Sequence, residues 1–180
     1  NVACKGSVSL SVSPNSRGDG IVVHHNLTED HPAYQYLSAV EEGIMEASNV
    51  GILRGFPLTD VRVVVAEAQF NNPDFARLTL KMAAYEGFRR ACADAKPILL
   101  SPIMSVTVTT PNEFLGEIVN DLNSRKSQIT HLLAKDKVTV IEAYAPLTKM
   151  FGYSTEVRSL SQGRASFSMY FSHYDKGENG

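Results

Sequence analysis

No apolar run in this chain approaches the roughly 18 residues of a membrane span, and no charged-then-apolar leader opens it. Neither a membrane anchor nor a signal peptide is therefore read from the sequence. Cysteine is scarce: Cys4 and Cys92 lie far apart, in neither a CxxC nor a zinc-ligand spacing. Both are expected as reduced thiols in a cytosolic protein, which removes a disulfide framework and a structural zinc site. An excess of one charge is missing too. The 17 Lys and Arg against 19 Asp and Glu leave a formal net charge of -2. A nucleic-acid partner would have to be met by local basic patches rather than by a global field.

Catalytic signatures are equally sparse. There is no GxxxxGK[ST] phosphate loop and no GxSxG, and no serine stands beside a histidine in a nucleophile pattern. His24 and His25 are adjacent, and successive side chains on a strand point to opposite faces, so the pair cannot chelate one metal. His131 and His173 are candidates for neighbours across one sheet, with no Cys or carboxylate cluster to complete a site. Glu41, Glu42, Glu113 and Glu117 fit solvated helix faces, and the five methionines fit core filler. No catalytic, cofactor-binding or metal-ligating residue is named, and a free-standing small-molecule enzyme is disfavoured on that ground.

What the chain does have is regular alternation. Its 180 residues are 43% hydrophobic and 20% charged, ordinary for a globular protein, and it opens on Asn1 rather than Met, as expected of a fragment or a processed chain. Residues 7–12 set Val8, Leu10 and Val12 against serines and read as a strand, resumed at 21–25. The turn-rich 13–20 between them contains Arg-Gly-Asp and reads as a hairpin loop rather than a cell-attachment signal. A helix follows over about 33–48, with Tyr36, Val40, Ile44 and Ala47 inward and Glu41, Glu42 and Glu46 outward. Residues 59–67 read as a strand and 68–74 as a polar loop in which Asp74 caps a long helix to about Asp94. Its inward stripe is read as Phe75, Leu78, Met82, Tyr85 and Phe88.

The second half repeats one pattern. Strand 99–110, helix 111–124, strands 126–134 and 138–145, helix 147–161 and strand 164–174 give β-α-β-β-α-β, the split βαβ of ferredoxin-like domains. Pro97 disfavours helix in the residue before it, which places the boundary between two domains, 1–96 and 97–176. The fold class expected is α+β.

Solvent-facing polar groups cluster in three places. Thr28, Glu29 and Asp30 sit on one loop, and Gln69, Phe70, Asn71 and Asn72 on another. The two loops are expected at the same end of the first sheet. Lys149, Arg158, Gln162 and Arg164 lie on or beside the last helix. Glycine-flanked arginines and polar helix faces suit contact with the phosphate backbone of folded RNA, although physical chemistry alone favours an ordinary solvated surface.

Five segments carry a family resemblance. They are Gly51 to Val61, Lys96-Pro97-Ile98-Leu99-Leu100-Ser101-Pro102-Ile103-Met104, Gly116 to Arg125, Met150-Phe151-Gly152-Tyr153-Ser154-Thr155 and Gln162-Gly163-Arg164-Ala165-Ser166. Together they resemble domains IV and V of bacterial elongation factor G or a close paralogue. The resemblance implies a ribosomal protein S5 domain 2-like βαβ fold for 1–96, with its first strand missing, and a ferredoxin-like domain for 97–176. It further implies a multidomain GTPase parent that drives translocation, with GTP and magnesium held in a domain outside this segment and no cofactor here. The implied partners are the ribosome, its RNA, and decoding-site transfer RNA and messenger RNA. The implied setting is a cytoplasmic monomer with no membrane or metal. Domain IV of that family reaches the decoding site through loops that map to 27–32 and 69–74. Domain V approaches the sarcin-ricin loop region through about 150–162, which adds Tyr153 to the contact residues. The tip departs from the family form, near "GSYHDVDSSE": its histidine falls at Asn71, and its acidic and serine positions at Asn72, Phe75 and Ala76. That departure makes a paralogue acting in ribosome recycling or tetracycline-type protection the alternative to a translocase.

Overall fold

In the first half, the serine-valine alternation forms β1 (Gly6–Pro14), and Ile21–His25 forms β2. Neither pairs with the other. In this computed structural model, which describes residues 3–177, both flank β3 (Val61–Phe70) in the order β1-β3-β2. β1 is antiparallel to β3 and β2 is parallel to it. The expected hairpin at 13–20 is therefore a passage across the end of β3. Asp60 holds that passage: its carboxylate accepts from the Gly18 and Gly20 amides at 3.0 and 3.1 Å, and its carbonyl accepts from Asn15 at 2.8 Å.

A parallel neighbour requires a crossover, which α1 (Leu37–Val50) supplies after a 3-10 turn at Tyr34–Tyr36. Val40, Ile44 and Ala47 are buried, as their spacing predicts. α2 (Ala76–Asp94) packs on α1 and β1. Of its expected stripe, Phe88 is buried and Tyr85 packs half-buried against the core, but the rest differs. Ala76, Leu80, Ala84, Phe88 and Cys92 face the core, whereas Phe75, Leu78 and Met82 are 49, 56 and 61% exposed. The small alanines on this face let α2 approach its neighbours closely. Burial raises the Cys92 thiol to about 11. Gly43 shows how close the helices come: a Cβ there would collide with the Lys81 carbonyl. Arg77 and Lys81 pair with Glu42 and Glu46 across the outer rim of the helix pair.

The second half forms β4 (Leu100–Pro111), α3 (Leu115–Ser124), β5 (Gln128–Lys135), β6 (Val138–Pro146), α4 (Tyr153–Leu160) and β7 (Ser166–Lys176). The sheet order β5-β6-β4-β7 is antiparallel throughout, the ferredoxin-like arrangement. Ile118 and Leu122 of α3 and Tyr153 and Val157 of α4 pack on Val106, Val108, Ile141 and Ala145, so both helices cover one face. The fold class is α+β.

The chain divides into two compact units, Asn1–Ile98 and Leu99–Gly180. Two further expectations change. His131 and His173 sit on β5 and β7, the two edge strands, and are not neighbours. Met150 is buried, but Met45 and Met82 are exposed and fill no core.

Candidate nucleic-acid interface

The loop after β2 leaves the sheet at the level of Val65, whose carbonyl accepts from the Asn26 amide at 3.0 Å. β3 runs on to Phe70, paired only with β1. Both loops follow the C-terminal ends of parallel neighbours and so lie at the same end of the sheet. The ring of Tyr36 meets Phe70 edge-on at 5.4 Å between centroids. Leu27 and Ala33 are buried and clamp the loop between them, leaving Thr28, Glu29 and Asp30 exposed. The Thr28 hydroxyl hydrogen-bonds Asp30 and, helped by Asp30's own amide, holds its carboxyl below the usual carboxylate range.

The second loop is shorter than the sequence suggests. Gln69 and Phe70 belong to β3, because strand pairing with Gly6 and Ser7 continues to its end. Gln69 is exposed, while Phe70 packs against the first core. The turn itself is Asn71 and Asn72, and both side chains work internally. Asn71 Oδ1 accepts from the Lys5 amide at 2.7 Å, and its Nδ2 donates to the Ala3 carbonyl at 2.8 Å. Asn72 Oδ1 accepts from the Asp74 amide at 3.0 Å, so Asn72, not Asp74, is the cap of the 3-10 turn Pro73–Phe75 that leads into α2.

In the second unit, Arg158 projects from the last turn of α4 and is exposed. The helix ends in a Schellman motif: the Gly163 amide donates to the Arg158 carbonyl at 2.8 Å and the Gln162 amide to Ser159 at 3.3 Å. Gln162 occupies the left-handed position, with φ 51°, where glycine is preferred. Buried Ser161 stiffens the turn, donating to the Val157 carbonyl at 2.6 Å and accepting from the Ala165 amide at 3.0 Å. Arg164 is exposed but engaged. Its guanidinium bonds Glu113 and lies 4.8 Å from the Phe114 ring centroid. Lys149 closes the 3-10 turn Leu147–Lys149.

Tyr153 is not a surface residue. It is 1% exposed, meets Phe167 edge-on at 5.1 Å, and its hydroxyl has no hydrogen-bond partner. Burial, with the Asp121 carboxylate nearby, pushes its phenol far above the ordinary range. Its spacing within α4 puts it on the same buried side as Val157, four residues on. Two residues of the resemblance segments, Arg125 and Phe151, are not among the contact residues named from the sequence. Arg125 lies 5.1 Å over the Tyr153 ring, donates through Nη1 to the Lys149 carbonyl at 2.7 Å, and pairs through Nε with Asp121 at 2.8 Å. Phe151 is 75% exposed at the entry to α4. The signal for Arg125 is its place four residues after Asp121 in a helix-end motif. The signal for Phe151 is its place in the Met150 to Thr155 segment that carries the resemblance, although its exposure is not legible from spacing.

Among the described residues, no group of three or more His, Cys, Asp or Glu could hold a metal ion, and no helix is long and apolar enough to cross a membrane. The arrangement offers polar and cationic side chains on rigid turns.

Comparison with known proteins divides the chain into two parts. Residues 4–96 match the family model for elongation factor G, domain IV, and residues 98–179 match that for the elongation factor G C-terminus. An elongation factor G from Fervidobacterium nodosum is 44% identical over 142 residues, 79% of this chain and 20% of that protein. A crystal structure of a protein from Thermus thermophilus matches with a TM-score of 0.82 at 26% identity, covering 97% of this chain and 29% of that one. The chain thus spans about a fifth of the length of its Fervidobacterium relative.

Proposed function

The chain belongs to the elongation factor G family, and we propose that it is the C-terminal, ribosome-contacting portion of a translational GTPase acting in translocation. GTP and magnesium would bind elsewhere in the parent. This portion would act in the cytoplasm, within a monomeric factor, on ribosomal RNA and on the transfer RNA and messenger RNA of the decoding site. The α4 edge carries the reading: Arg158, Gln162 and Arg164 are all exposed and set on a turn stiffened by buried Ser161. Exposed cations on a fixed scaffold suit the phosphate backbone of folded RNA, recognised by shape. The test is competition between the full-length protein and labelled factor for purified ribosomes. Arg158→Glu is expected to weaken binding, and more so at low salt. Indifference to that reversal would refute the reading.

The tip supports a second reading, a paralogue acting in recycling or tetracycline-type protection. Where the family form has a titratable histidine, Asn71 has an amide bonded to residues 3 and 5. Asn71→His in the parent, assayed for translocation, separates the two. A gain favours the specialised paralogue, and no change in an already competent translocase favours the first reading.

A further inference from the structure

The 13–20 passage crosses the first sheet at the start of β3, opposite the end that carries the two candidate loops. It contains the only Asp-Gly step of the chain, Asp19-Gly20. Such a step is chemically labile, because glycine has no side chain to shield its amide nitrogen from the carboxyl group before it. The Gly20 nitrogen attacks Cγ of the protonated Asp19 carboxyl. An N–Cγ bond forms, and the carboxyl hydroxyl leaves as water with the amide proton. The resulting cyclic imide takes up one water at either carbonyl. Opening at Cγ restores aspartate. Opening at the main-chain carbonyl leaves isoaspartate, with the backbone rerouted through Cβ and one carbon longer. Sterics do not protect this step: Asp19 is exposed, and a Cβ placed on Gly18 or Gly20 would meet nothing within 4 Å.

Electrostatics do protect it. The Gly20 amide donates to Oδ1 of Asp60 at 3.1 Å, and the same oxygen accepts from the Gly18 amide at 3.0 Å and the Thr59 hydroxyl at 3.2 Å. The Asp19 amide is tied to the Ser16 carbonyl at 3.2 Å, and the Gly20 carbonyl to the Val61 amide at 3.0 Å. To act as a nucleophile, the Gly20 nitrogen must leave its acceptor and give up its proton. A carboxylate at hydrogen-bond distance opposes the anion that forms. Asp60 reaches the glycine amides from a left-handed backbone, φ 58°, a conformation that costs a residue with a side chain. The strand that follows has much to lose from rearrangement. Ile21 opposite Val61 is the first pair of β2, so an added backbone carbon at residue 19 would pull the Gly20 carbonyl off the Val61 amide and start β2 out of register.

We propose that Asp19-Gly20 is an isoaspartate-forming site, and that the Asp60 carboxylate keeps it unreacted in the folded protein. The test incubates the full-length protein at neutral pH and follows isoaspartate at residue 19 by peptide mapping and by methyl transfer from S-adenosylmethionine with an isoaspartyl methyltransferase. Asp60→Gly removes the carboxylate and suits the left-handed backbone, so the fold is retained. Asp60→Asn keeps an oxygen acceptor without the charge. Asp60→Gly is expected to form isoaspartate about ten- to a hundredfold faster than wild type, the rate equivalent of the about 1.5–3 kcal/mol of a hydrogen bond to a charged group. Asp60→Asn should fall between them, and wild type unfolded in urea should react at least as fast as Asp60→Gly. A wild-type rate in Asp60→Gly, with β3 amide protection intact, would overturn the proposal. So would native wild type that reacts as fast as its urea-unfolded chain, whether or not either variant folds. An unfolded chain that forms no isoaspartate at residue 19 would overturn the site itself.

Discussion

Replacing Arg125 with alanine removes three interactions at once. Its Nε pairs with Asp121 at 2.8 Å, and the two side chains are 18 and 16% exposed, so solvent screens the pair only in part. Its Nη1 donates to the Lys149 carbonyl at 2.7 Å, and its guanidinium covers the face of Tyr153. Hydrogen bonds to charged groups contribute about 1.5–3 kcal/mol each, and a partly desolvated cation–π contact about 1 kcal/mol. Water can replace some of this at the rim, since neither partner is fully buried. A net loss of about 3 kcal/mol is expected, a large share of the roughly 5–15 kcal/mol of a typical domain. The chain has two units, so a single melting temperature would mix their transitions. Native-state amide exchange separates them. Protection of Val106, Val108 and Ile141 should fall by about 3 kcal/mol, while Val63 and Val65 in the first unit stay unchanged. Arg125→Lys should recover less than half, because an ammonium cannot span Asp121 and the Lys149 carbonyl as the planar fork does. A loss below about 1 kcal/mol for Arg125→Ala would refute the view that this guanidinium ties the α3 and α4 ends together.

Three other perturbations test separate parts of the account. Gly43→Ala should destabilise the first unit by about 1–3 kcal/mol through overpacking against the Lys81 carbonyl, read as a fall in protection of β3 amides. Gln162→Gly should raise the stability of the second unit by about 0.5 kcal/mol, because relief of a left-handed side chain slightly exceeds the added unfolded-state freedom. The denaturation midpoint of β7 and α4 probes reads it. Thr28→Ala should return the Asp30 carboxyl upward toward the ordinary value, followed by carboxyl chemical shifts. The depressed Asp30 favours the folded state above its unfolded pKa, and that contribution disappears as pH falls through the folded value.

Much of this architecture is legible in the sequence because strands announce themselves by period two. The runs at Val8–Leu10–Val12 and Val61–Val63–Val65 set one face toward the core and form strands at nearly the expected bounds. What pairs with what is not legible. β1 and β2 look like a hairpin because the turn chemistry at 13–20 is dense, yet β3 lies between them, and only the register reveals it. The α2 stripe departs from expectation because size alone suggests that the large apolar residues turn inward. The close approach of α2 instead selects Ala76 and Ala84 and leaves Phe75, Leu78 and Met82 outside. At the candidate interface, the exposed Arg158 and Gln162 are readable from helix-end chemistry. Tyr153 is readable as inward only once α4 is known to begin at it, four residues before Val157, and the roles of Asn71 and Asn72 are not readable. The Asn71 side chain is turned by partners far along the chain, residues 3 and 5.

The most direct measurement of the central claim is the salt dependence of ribosome binding by the full-length protein, wild type against Arg158→Ala. A cation that meets a phosphate releases a counterion, so the log–log slope should become shallower by about one unit in the variant. An unchanged slope, or wild-type binding indifferent to salt, would contradict the account.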